Sequence, residues 1–471
     1  MRCLFTFLCV CTLGVVSLAA CSETNGDGGS GGSAGSGGTG GTDLCEGVDC
    51  DDGNECTTDA CSPTDGSCGN TALDDGSFCE AGYCESGECA PLASIFPCTE
   101  QGIRDAIATG GGPHGFACDG PTMVTTMAEI AIDNDVILDG RDNLTVDGND
   151  DHPVFSAPVD TVAELRRFAV TGGFSEGDLS GNGGGIANAG TLSLANSTVS
   201  ENSTGETGGG GIWNGGTMTV SNSTVSGNSA GIVGFGGIWN GGTMTVSNST
   251  VSGNSAGAFG VNGIFNDGSF GGSVTLTLAN TTVSENTGGK FGGVFNSHGT
   301  LTVTNSTVSG NTAEWSGGIF NGGPAGGLTI TNSTVSGNTA ESGASIVNVS
   351  DLAGSAVLTI ANSLVDGDCV GWREGLPQGA PDITSNGYNI ESPSNTCGFD
   401  QGTDKTGVPD LMLGPLQNNG GPTDTHALLP GSNAINQIPE AACEVDEDQR
   451  GVARPQGPTC DVGAFEVEVA P

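Results

Sequence analysis

Apolar and polar residues alternate with a period of two in many short segments of the chain. In the segment TMTVS at 217–221, Met218 and Val220 share one side of an extended strand, and the hydroxyl-bearing residues share the other. Gly and Asn, which favour turns, stand on both sides of this segment. Gly, Ser, Thr, Val and Asn dominate the surrounding chain, and this composition disfavours helices. The pattern therefore predicts short β-strands joined by tight turns.

The segment belongs to a longer repeat of about 26 residues. The run GGIWNGGTMTVSNSTVSGN occurs at 210–228 and again, unchanged, at 236–254. Related units align on one asparagine, and the aligned residues are Asn196, Asn222, Asn248, Asn280, Asn305, Asn332 and Asn362. A period that stays nearly constant while insertions fall beside glycine is typical of a solenoid.

Each repeat divides into three strand-forming segments, for example 211–214, 217–221 and 224–226. Three strands in each coil predict a parallel β-helix, in which every residue lies above its counterpart in the previous coil. The less regular segments 136–148 and 165–173 are predicted to be earlier coils of the same structure. The sequence therefore predicts an all-β fold.

Stacking of equivalent positions predicts two apolar columns inside this β-helix. The first column consists of Val199, Val225, Val251, Val283, Val308, Val335 and Val365. The second consists of Ile186, Ile212, Ile238, Ile264, Val294, Ile319 and Ile346. The aligned asparagines are predicted to form a third column, which caps the turns and exchanges amide hydrogen bonds from coil to coil. Two identical neighbouring repeats are thus explained by the fold.

The charge of the chain restricts its partners. There are 54 acidic residues against 10 Lys and Arg, for a formal net charge of −44. Nucleic acids and anionic membrane surfaces would be repelled, so no nucleic-acid partner is expected. Divalent cations and cationic partners stay open, and a solvated acidic surface is the simplest explanation. The 85 glycines follow no Gly-X-Y period, which excludes collagen.

The first 20 residues have the features of a secretory signal peptide. Arg2 precedes an apolar run from Cys3 to Val16, and the sequence Leu18-Ala19-Ala20-Cys21 follows. These four residues resemble the lipobox of bacterial lipoproteins, which implies cleavage before Cys21, lipidation of Cys21 and a lipid anchor in a Gram-negative outer membrane or cell surface. An ordinary signal peptide is the alternative. Residues 21–44, rich in Gly and Ser, are predicted to form a flexible tether.

Cysteine usage agrees with export to an oxidising compartment. After removal of the signal peptide and lipidation of Cys21, an even number of cysteines is left from the 18 in the sequence. Eight of them lie within 45–89, and the others form three local couples. We predict three disulfide bonds, Cys98–Cys118, Cys369–Cys397 and Cys443–Cys460. The pairing among the eight stays open.

Residues 45–90 are predicted to be a small module held together by disulfide bonds, because the polar loops are too short to enclose a core. The pattern resembles Cys-rich modules on secreted proteins of myxobacteria. Zinc is disfavoured, since the spacing is not CxxC and no His accompanies the cysteines. The acidic run DCDDGNEC at 49–56 offers oxygen ligands for calcium without the full spacing of a calcium loop. Calcium is therefore the one cofactor considered, and no metal ligand is assigned.

The repeats resemble those of choice-of-anchor Q proteins and of the polymorphic outer-membrane protein family, in which GGGI-aromatic-N and NSTVSGN units recur. The stretches 413–437 and 448–466 resemble the segment that closes the choice-of-anchor Q domain, and CTEQGIRDAI at 98–107 resembles its capping helix. The resemblance implies a right-handed parallel β-helix over 91–412, a closing segment at 413–471 and a location at the cell surface. Most members have no established activity, so the resemblance leaves the function open.

Some β-helix proteins degrade polysaccharides, so catalysis has to be considered. A lyase needs a cation beside the substrate carboxylate and a base such as Arg or Lys. The weak candidates are Asp150, Asp151, Arg166 and Arg167. Adjacent aspartates on a strand point to opposite faces, so Asp150 and Asp151 fit a solvated turn better than a catalytic pair. No catalytic residue is assigned, and a non-enzymatic protein is expected.

The residue after each interior isoleucine is aromatic in five consecutive repeats, and these residues are Trp213, Trp239, Phe265, Phe295 and Phe320. If isoleucine faces inward, strand alternation turns the aromatic residues outward. They are predicted to form a binding surface for sugar rings or for a partner protein. The alternative is that they pack under a loop or against one another.

These observations together predict a lipid-anchored surface protein that acts in adhesion or binding, with polysaccharide as a possible ligand class. A polysaccharide lyase or glycoside hydrolase is the first alternative, and a purely structural envelope component is the second. The ligand, the orientation across the outer membrane and the oligomeric state are left open by the sequence.

Overall fold

The structure, a computed structural model, describes residues 45, 48, 50–62, 67–73, 78–79, 82–176, 183–269, 271–323, 326–341, 345–351, 354–372 and 381–468. Contacts divide the chain into two units. The described residues of Met1–Gly53 with Thr57–Thr71 form one, and those of Asn54–Cys56 with Ala72–Pro471 form the other. The predicted signal peptide and nearly all of the tether, including Cys21, lie outside the described residues.

The large unit is a right-handed parallel β-helix, as predicted. Each regular coil has strands A, B and C at the three predicted positions. In one coil these are Ile212–Asn214, Thr217–Ser221 and Thr224–Ser226. Several coils add a two-residue strand D, Ser229–Ala230 in this coil, which the sequence analysis did not predict. Equivalent strands pair in parallel and in register, so residue 212 lies beside residue 238 and residue 238 beside residue 264.

The strands stack in the same order along the β-helix. Strands A are Ile130–Ala131, Phe155–Ala157, Ile186–Asn188, Ile212–Asn214, Ile238–Asn240, Ile264–Asp267, Val294–Ser297, Ile319–Gly322, Ile346–Asp351 and Cys369–Trp372. Strands B are Ser94–Pro97, Gly111–Ala117, the first parts of Val136–Asp147 and Val162–Thr171, then Thr191–Ala195, Thr217–Ser221, Thr243–Ser247, Thr275–Ala279, Thr300–Thr304, Gly327–Thr331, Val357–Ala361 and Ile383–Ser385. Strands C are Thr122–Thr125, the second parts of the same two long strands, then Thr198–Ser200, Thr224–Ser226, Thr250–Ser252, Thr282–Ser284, Thr307–Ser309, Thr334–Ser336, Leu364–Asp366 and Ile390–Ser392. Strands D are Phe174–Ser175, Ser203–Thr204, Ser229–Ala230, Ser255–Ala256, Thr312–Ala313 and Thr339–Ala340.

The remaining strands lie outside this stack. They are Thr57–Cys61, Cys68–Ala72, Phe78–Cys79, Gly82–Glu85, Glu88–Pro91, Gly354–Ser355, Leu413–Gln417 and Thr425–Leu428. A 3-10 helix covers Glu440–Ala442.

The two predicted apolar columns fill the interior of the β-helix. Their valines and isoleucines are buried in one continuous cluster that also includes the inward-facing apolar residues of strands B. The helix Glu100–Thr109 covers the first coils with Ile103 and Ile107, and the Thr99 hydroxyl caps it by accepting a hydrogen bond from the Gly102 amide at 3.1 Å. No helix in the described part of the chain has the length and apolarity that a bilayer span requires.

The prediction for the aligned asparagines was wrong in one respect. All seven mark the corner between strands B and C, but their φ angles lie between 47° and 52°, the left-handed region that asparagine tolerates better than most residues. Side-chain contacts within this column join Asn305 to Asn280 at 2.7 Å and Asn362 to Asn332 at 3.4 Å. Backbone conformation, rather than an amide ladder, accounts for asparagine at this corner.

Two other sets of asparagines form the amide ladders. One lies at the end of strand A and consists of Asn188, Asn214, Asn240, Asn266, Asn296, Asn321 and Asn348. The other precedes strand D and consists of Asn202, Asn228, Asn254, Asn286, Asn311 and Asn338. In both ladders each amide donates to the carbonyl oxygen of the next asparagine at 2.7–3.0 Å. Because every amide both donates and accepts, the buried polar groups are satisfied by repetition.

The C-terminal segment runs back along the side of the later coils, over strands C. The hydroxyls of Thr282 and Thr307 donate to Asp424 O and to Gln449 Oε1, each at 2.6 Å. The Thr334 hydroxyl accepts a hydrogen bond from the Ala464 amide at 3.1 Å. These three threonines are therefore buried, whereas the equivalent residues of the preceding coils, including Thr250, are half-buried.

Disulfide bonds join Cys98 to Cys118, Cys369 to Cys397 and Cys443 to Cys460, which are the three couples predicted from the sequence. The pairing that the sequence left open is Cys45–Cys61, Cys50–Cys68, Cys56–Cys84 and Cys79–Cys89.

Candidate functional site

The four weak catalytic candidates do not form one site. Asp150 and Asp151 are exposed on the turn that follows a strand C, and the Asp150 amide donates to Gly172 O at 2.7 Å. Arg167 lies at the other end of the next strand C, at the corner position that asparagine occupies in later coils. About 16 Å of extended backbone separates Arg167 from Gly172. The turn therefore presents its carboxylates far from the two arginines.

Both arginines are engaged by carboxylates. Arg166 binds Glu164 through two hydrogen bonds, Nε to Oε1 at 2.5 Å and the terminal Nη2 to Oε2 at 2.9 Å. Arg167 is buried and forms an ion pair with the buried Asp139, including a 2.8 Å bond from Nε to Oδ1. Both guanidinium groups are therefore held in ion pairs within the protein, and the pair at Arg167 lies at the corner between strands B and C.

The prediction that the five aromatic residues form an exposed surface was wrong. Trp239, Phe265 and Phe320 have only 5%, 8% and 8% of their surfaces exposed, and Trp213 and Phe295 are partly buried. The five residues do face away from the β-helix interior, as strand alternation requires, but they belong to a second apolar cluster. The alternative expectation, packing under a loop and against one another, describes them.

Residues of the turn before strand A cover this aromatic column. The Phe235 ring stacks on Phe265 with centroids 4.4 Å apart, and the Phe291 ring stacks on Phe295 at 4.2 Å. Val261 occupies the equivalent position in the coil between them. The sequence contained this signal, because an apolar residue stands directly before the repeat's Gly-Gly or Asn-Gly pair in these three coils.

A different set of apolar side chains is exposed, on the turns that join one coil to the next. They are Ile232, Val233, Phe259 and Trp315, and together with the half-buried Lys290 we call them the turn patch. Phe259 is 59% exposed and Trp315 is 37% exposed. The repeat pattern does not reveal these residues, because the turns differ in length and composition between repeats and the residues do not align.

Backbone hydrogen bonds place the turn patch residues on successive coils. The Phe259 amide donates to Ile232 O at 2.9 Å, the Lys290 amide to Gly260 O at 3.0 Å, and the Trp315 amide to Lys290 O at 3.0 Å. The patch is therefore built on the same parallel ladder as the strands. Its position is set by the rigid stack beneath it.

Lys290 lies between the two aromatic rings of the turn patch. Its ammonium nitrogen is 4.7 Å from the centroid of Phe259 and 4.1 Å from that of Trp315. Attraction between the cation and the quadrupole of each ring stabilises the positions of both rings. The indole nitrogen of Trp315 donates to Glu314 Oε1 at 3.1 Å, which fixes the orientation of the Glu314 carboxylate.

An open groove of about 500 Å³ lies next to the turn patch, because its lining residues Ala258, Gly289 and Glu314 directly precede Phe259, Lys290 and Trp315. Its lining includes Ala258, Thr312, Thr339 and the carboxylates of Glu314 and Glu341. The two threonine hydroxyls are 3.0 Å apart on adjacent strands D. Exposed rings beside hydroxyl and carboxylate groups can stack on the apolar face of a sugar and accept or donate hydrogen bonds to its hydroxyls.

A second groove, of about 390 Å³, crosses strands B of the early coils. Val162, Glu164 and Thr219 contribute to its lining. Glu164 is the residue that binds Arg166, so this groove has a charged pair at its margin. Its lining is largely apolar, and none of the described residues that line it is aromatic.

Three carboxylates lie close together in the Cys-rich segment, where the sequence suggested oxygen ligands for calcium. Carboxylate oxygens of Asp51, Asp52 and Asp59 lie within 4.8 Å of one another, and all three residues are exposed. The Asp52 carboxylate accepts hydrogen bonds from Thr57 at 3.0 Å and from Asn70 at 2.7 Å, so its oxygens already stabilise the turn. Asp49 lies outside the described residues. The arrangement fits a hydrogen-bonded turn.

Comparison with known proteins yields the fold. No protein-family model and no curated protein matches the chain. The chain is similar to the crystal structure of pectate lyase Pel9A, with a TM-score of 0.50 and 14% sequence identity, over 80% of this chain and 97% of that one. The two proteins share a right-handed parallel β-helix, and at this identity the likeness extends to the fold alone.

Proposed function

We propose that this protein is a non-catalytic glycan-binding adhesion protein of a Gram-negative cell surface. The observation that carries the proposal is the exposed pair of rings, Phe259 and Trp315, held by Lys290 beside the 500 Å³ groove. Soluble proteins rarely leave aromatic side chains fixed and exposed next to a concave polar surface unless that surface binds something. A lipid at Cys21 and the flexible tether at 21–44 would attach the β-helix to the membrane and leave the groove accessible.

Binding without chemistry agrees with the arrangement of the charged groups. Asp150 and Asp151 lie beside the far end of the strand C that begins after Arg167. Arg166 is bound to Glu164. The turn patch provides surfaces for stacking and hydrogen bonding, which is what recognition of a sugar needs. Repetition of the coils would also allow a long polysaccharide to contact several coils at once.

A second candidate function, polysaccharide cleavage, is favoured by one observation, the groove beside the Glu164–Arg166 pair. Two guanidinium nitrogens of Arg166 already donate to Glu164, and this pairing competes with a role of Arg166 in proton transfer. We therefore propose binding as the main function, and a single experiment can measure both binding and cleavage.

The test uses the full chain, purified in mild detergent, with plant, algal and bacterial polysaccharides in the presence and absence of calcium. Binding and the release of reducing or unsaturated ends are recorded together. We expect binding without product, weakened about tenfold by Phe259→Ala and by Trp315→Ala, since each ring offers about 100 Å² of apolar surface to a ligand. Met127→Ala is the control, because Met127 is exposed on an early coil away from the groove.

Three results would contradict the proposal. Release of products that Arg166→Ala abolishes would establish cleavage at the second groove. Binding that is unchanged by both ring substitutions would place the ligand elsewhere. If none of the polysaccharides binds, a purely structural role is the better explanation.

A further inference from the structure

The carboxylates of the groove indicate the charge of its ligand. Glu314 and Glu341 both line it, and each directly follows a strand D. The two strands pair in register, Thr312 beside Thr339 and Ala313 beside Ala340. Glu314 and Glu341 are the next residues along these paired segments, so their backbones are about 4.8 Å apart. Like charges stacked this closely repel each other, and a cation between them removes the repulsion.

We infer that the groove binds an amine-bearing glycan, a polymer of hexosamine units with free ammonium groups. The inference rests on the proposed function, because it assigns a ligand class to the same groove. The sugar ring stacks on Phe259 or Trp315, and its ammonium group donates hydrogen bonds to Glu341 and Glu314. Charge complementarity, rather than the fold, selects this ligand.

Among the described residues that line the groove, the charged ones are Glu314 and Glu341, so the lining is negative. The Lys290 ammonium group lies outside this lining, over the rings of Phe259 and Trp315 at 4.7 and 4.1 Å. The rings stay 59% and 37% exposed with Lys290 in this position, so surface for stacking is still available. The lysine therefore positions the rings, and the carboxylates face the ligand's charge.

The net charge of the whole chain also favours a cationic ligand. A formal net charge of −44 attracts cationic polymers and repels polyuronates, over distances of about 10 Å at 0.1 M salt. The ligand inferred here is cationic. A pectate-binding protein of the same fold would instead bind an anionic ligand, which carries a carboxylate on each sugar. The inference also predicts that binding weakens as salt is added.

The test compares four hexamers of matched length by isothermal titration on the full chain, made of glucosamine, N-acetylglucosamine, galacturonate and lysine. At about pH 5.5 ordinary carboxyl groups are ionised and the amine of glucosamine is protonated. We expect the glucosamine hexamer to bind at least tenfold more tightly than the N-acetylglucosamine hexamer, and the galacturonate hexamer not to bind. Glu341→Gln should weaken glucosamine binding about fivefold and leave N-acetylglucosamine binding unchanged. Trp315→Ala should weaken both.

The outcomes separate this inference from the proposed function. If both glucosamine-based hexamers bind equally well and Glu341→Gln changes neither, the glycan-binding function stands and the amine inference is overturned. If the lysine hexamer binds as tightly as the glucosamine hexamer, the groove recognises charge alone and the inference is wrong. If no sugar hexamer binds, both proposals fail. Glu341 is exposed and Gln has the same shape, so the variant keeps the fold, which thermal unfolding checks.

Discussion

Truncation of two asparagines in one coil should destabilise the protein by clearly different amounts. Asn240 is fully buried in the ladder at the end of strand A, whereas Asn248 is half-buried at the corner between strands B and C. The first is used for its amide and the second for its backbone conformation. Alanine at each position therefore tests the distinction between ladder and corner.

The magnitudes follow from the contacts. The Asn240 amide donates to Asn266 Oδ1 at 2.8 Å and to Thr275 O at 3.0 Å, and it accepts from Asn214 Nδ2 at 2.7 Å. Its removal leaves buried partners unsatisfied, and we expect the free energy of local opening to fall by about 3 kcal/mol. Asn248 has φ of 48°, so Asn248→Ala should cost about 1 kcal/mol, and Asn248→Gly should cost nothing measurable.

Native-state hydrogen exchange is the appropriate assay, because long repeat arrays need not unfold in one step. Asn240→Ala should speed exchange of the strand A amides at 238–240 more than 100-fold, and Asn248→Ala about fivefold at its corner. Equal effects from the two alanine variants would refute the reasoning. So would a cost from Asn248→Gly as large as that from Asn240→Ala.

Two further predictions concern packing and pH. Trp239→Ala should lower the midpoint of thermal unfolding, because truncation of a buried Trp costs about 3–5 kcal/mol. Phe259 is exposed, so Phe259→Ala should leave the midpoint unchanged. Comparable losses from the two variants would mean that Phe259 belongs to the core. Burial lowers the pKa of His426 below its ordinary value of 6.5, and its ring bonds Gly414 O at 2.7 Å and the Ser309 hydroxyl at 2.8 Å. The folded state therefore favours neutral His426, whose stabilising contribution is complete above about pH 6.5 and is lost as the pH falls below that value. Hydrogen exchange of the hairpin at 413–428, corrected for its intrinsic rate, should quicken on acidification, and His426→Gln should abolish the pH dependence.

Some features followed directly from the repeat. A period of about 26 residues with alternating apolar positions identified the β-helix, and it assigned the interior valine and isoleucine columns correctly. Repetition makes this possible, because each residue meets its own counterpart in the next coil and a local pattern becomes a tertiary contact. The three separate cysteine couples were predicted correctly for a related reason, since each lies within a short stretch of chain.

Other features depended on how the turns fold over the coils. The sequence could not distinguish the corner asparagines from the ladder asparagines, since both recur at the same period. It predicted the direction of Trp239 and its neighbours correctly, but their burial depends on Phe235, Val261 and Phe291 closing over them.

The sequence did not predict the turn patch, because its residues do not follow the repeat. Phe259, Lys290 and Trp315 stand in turns of unequal length, and they meet only because the coils beneath them are in register. The sequence by itself therefore determined the stack and its interior, where contacts repeat with the period of the chain. The tertiary structure decided the surface, because the paths of the turns place residues together that no common period relates.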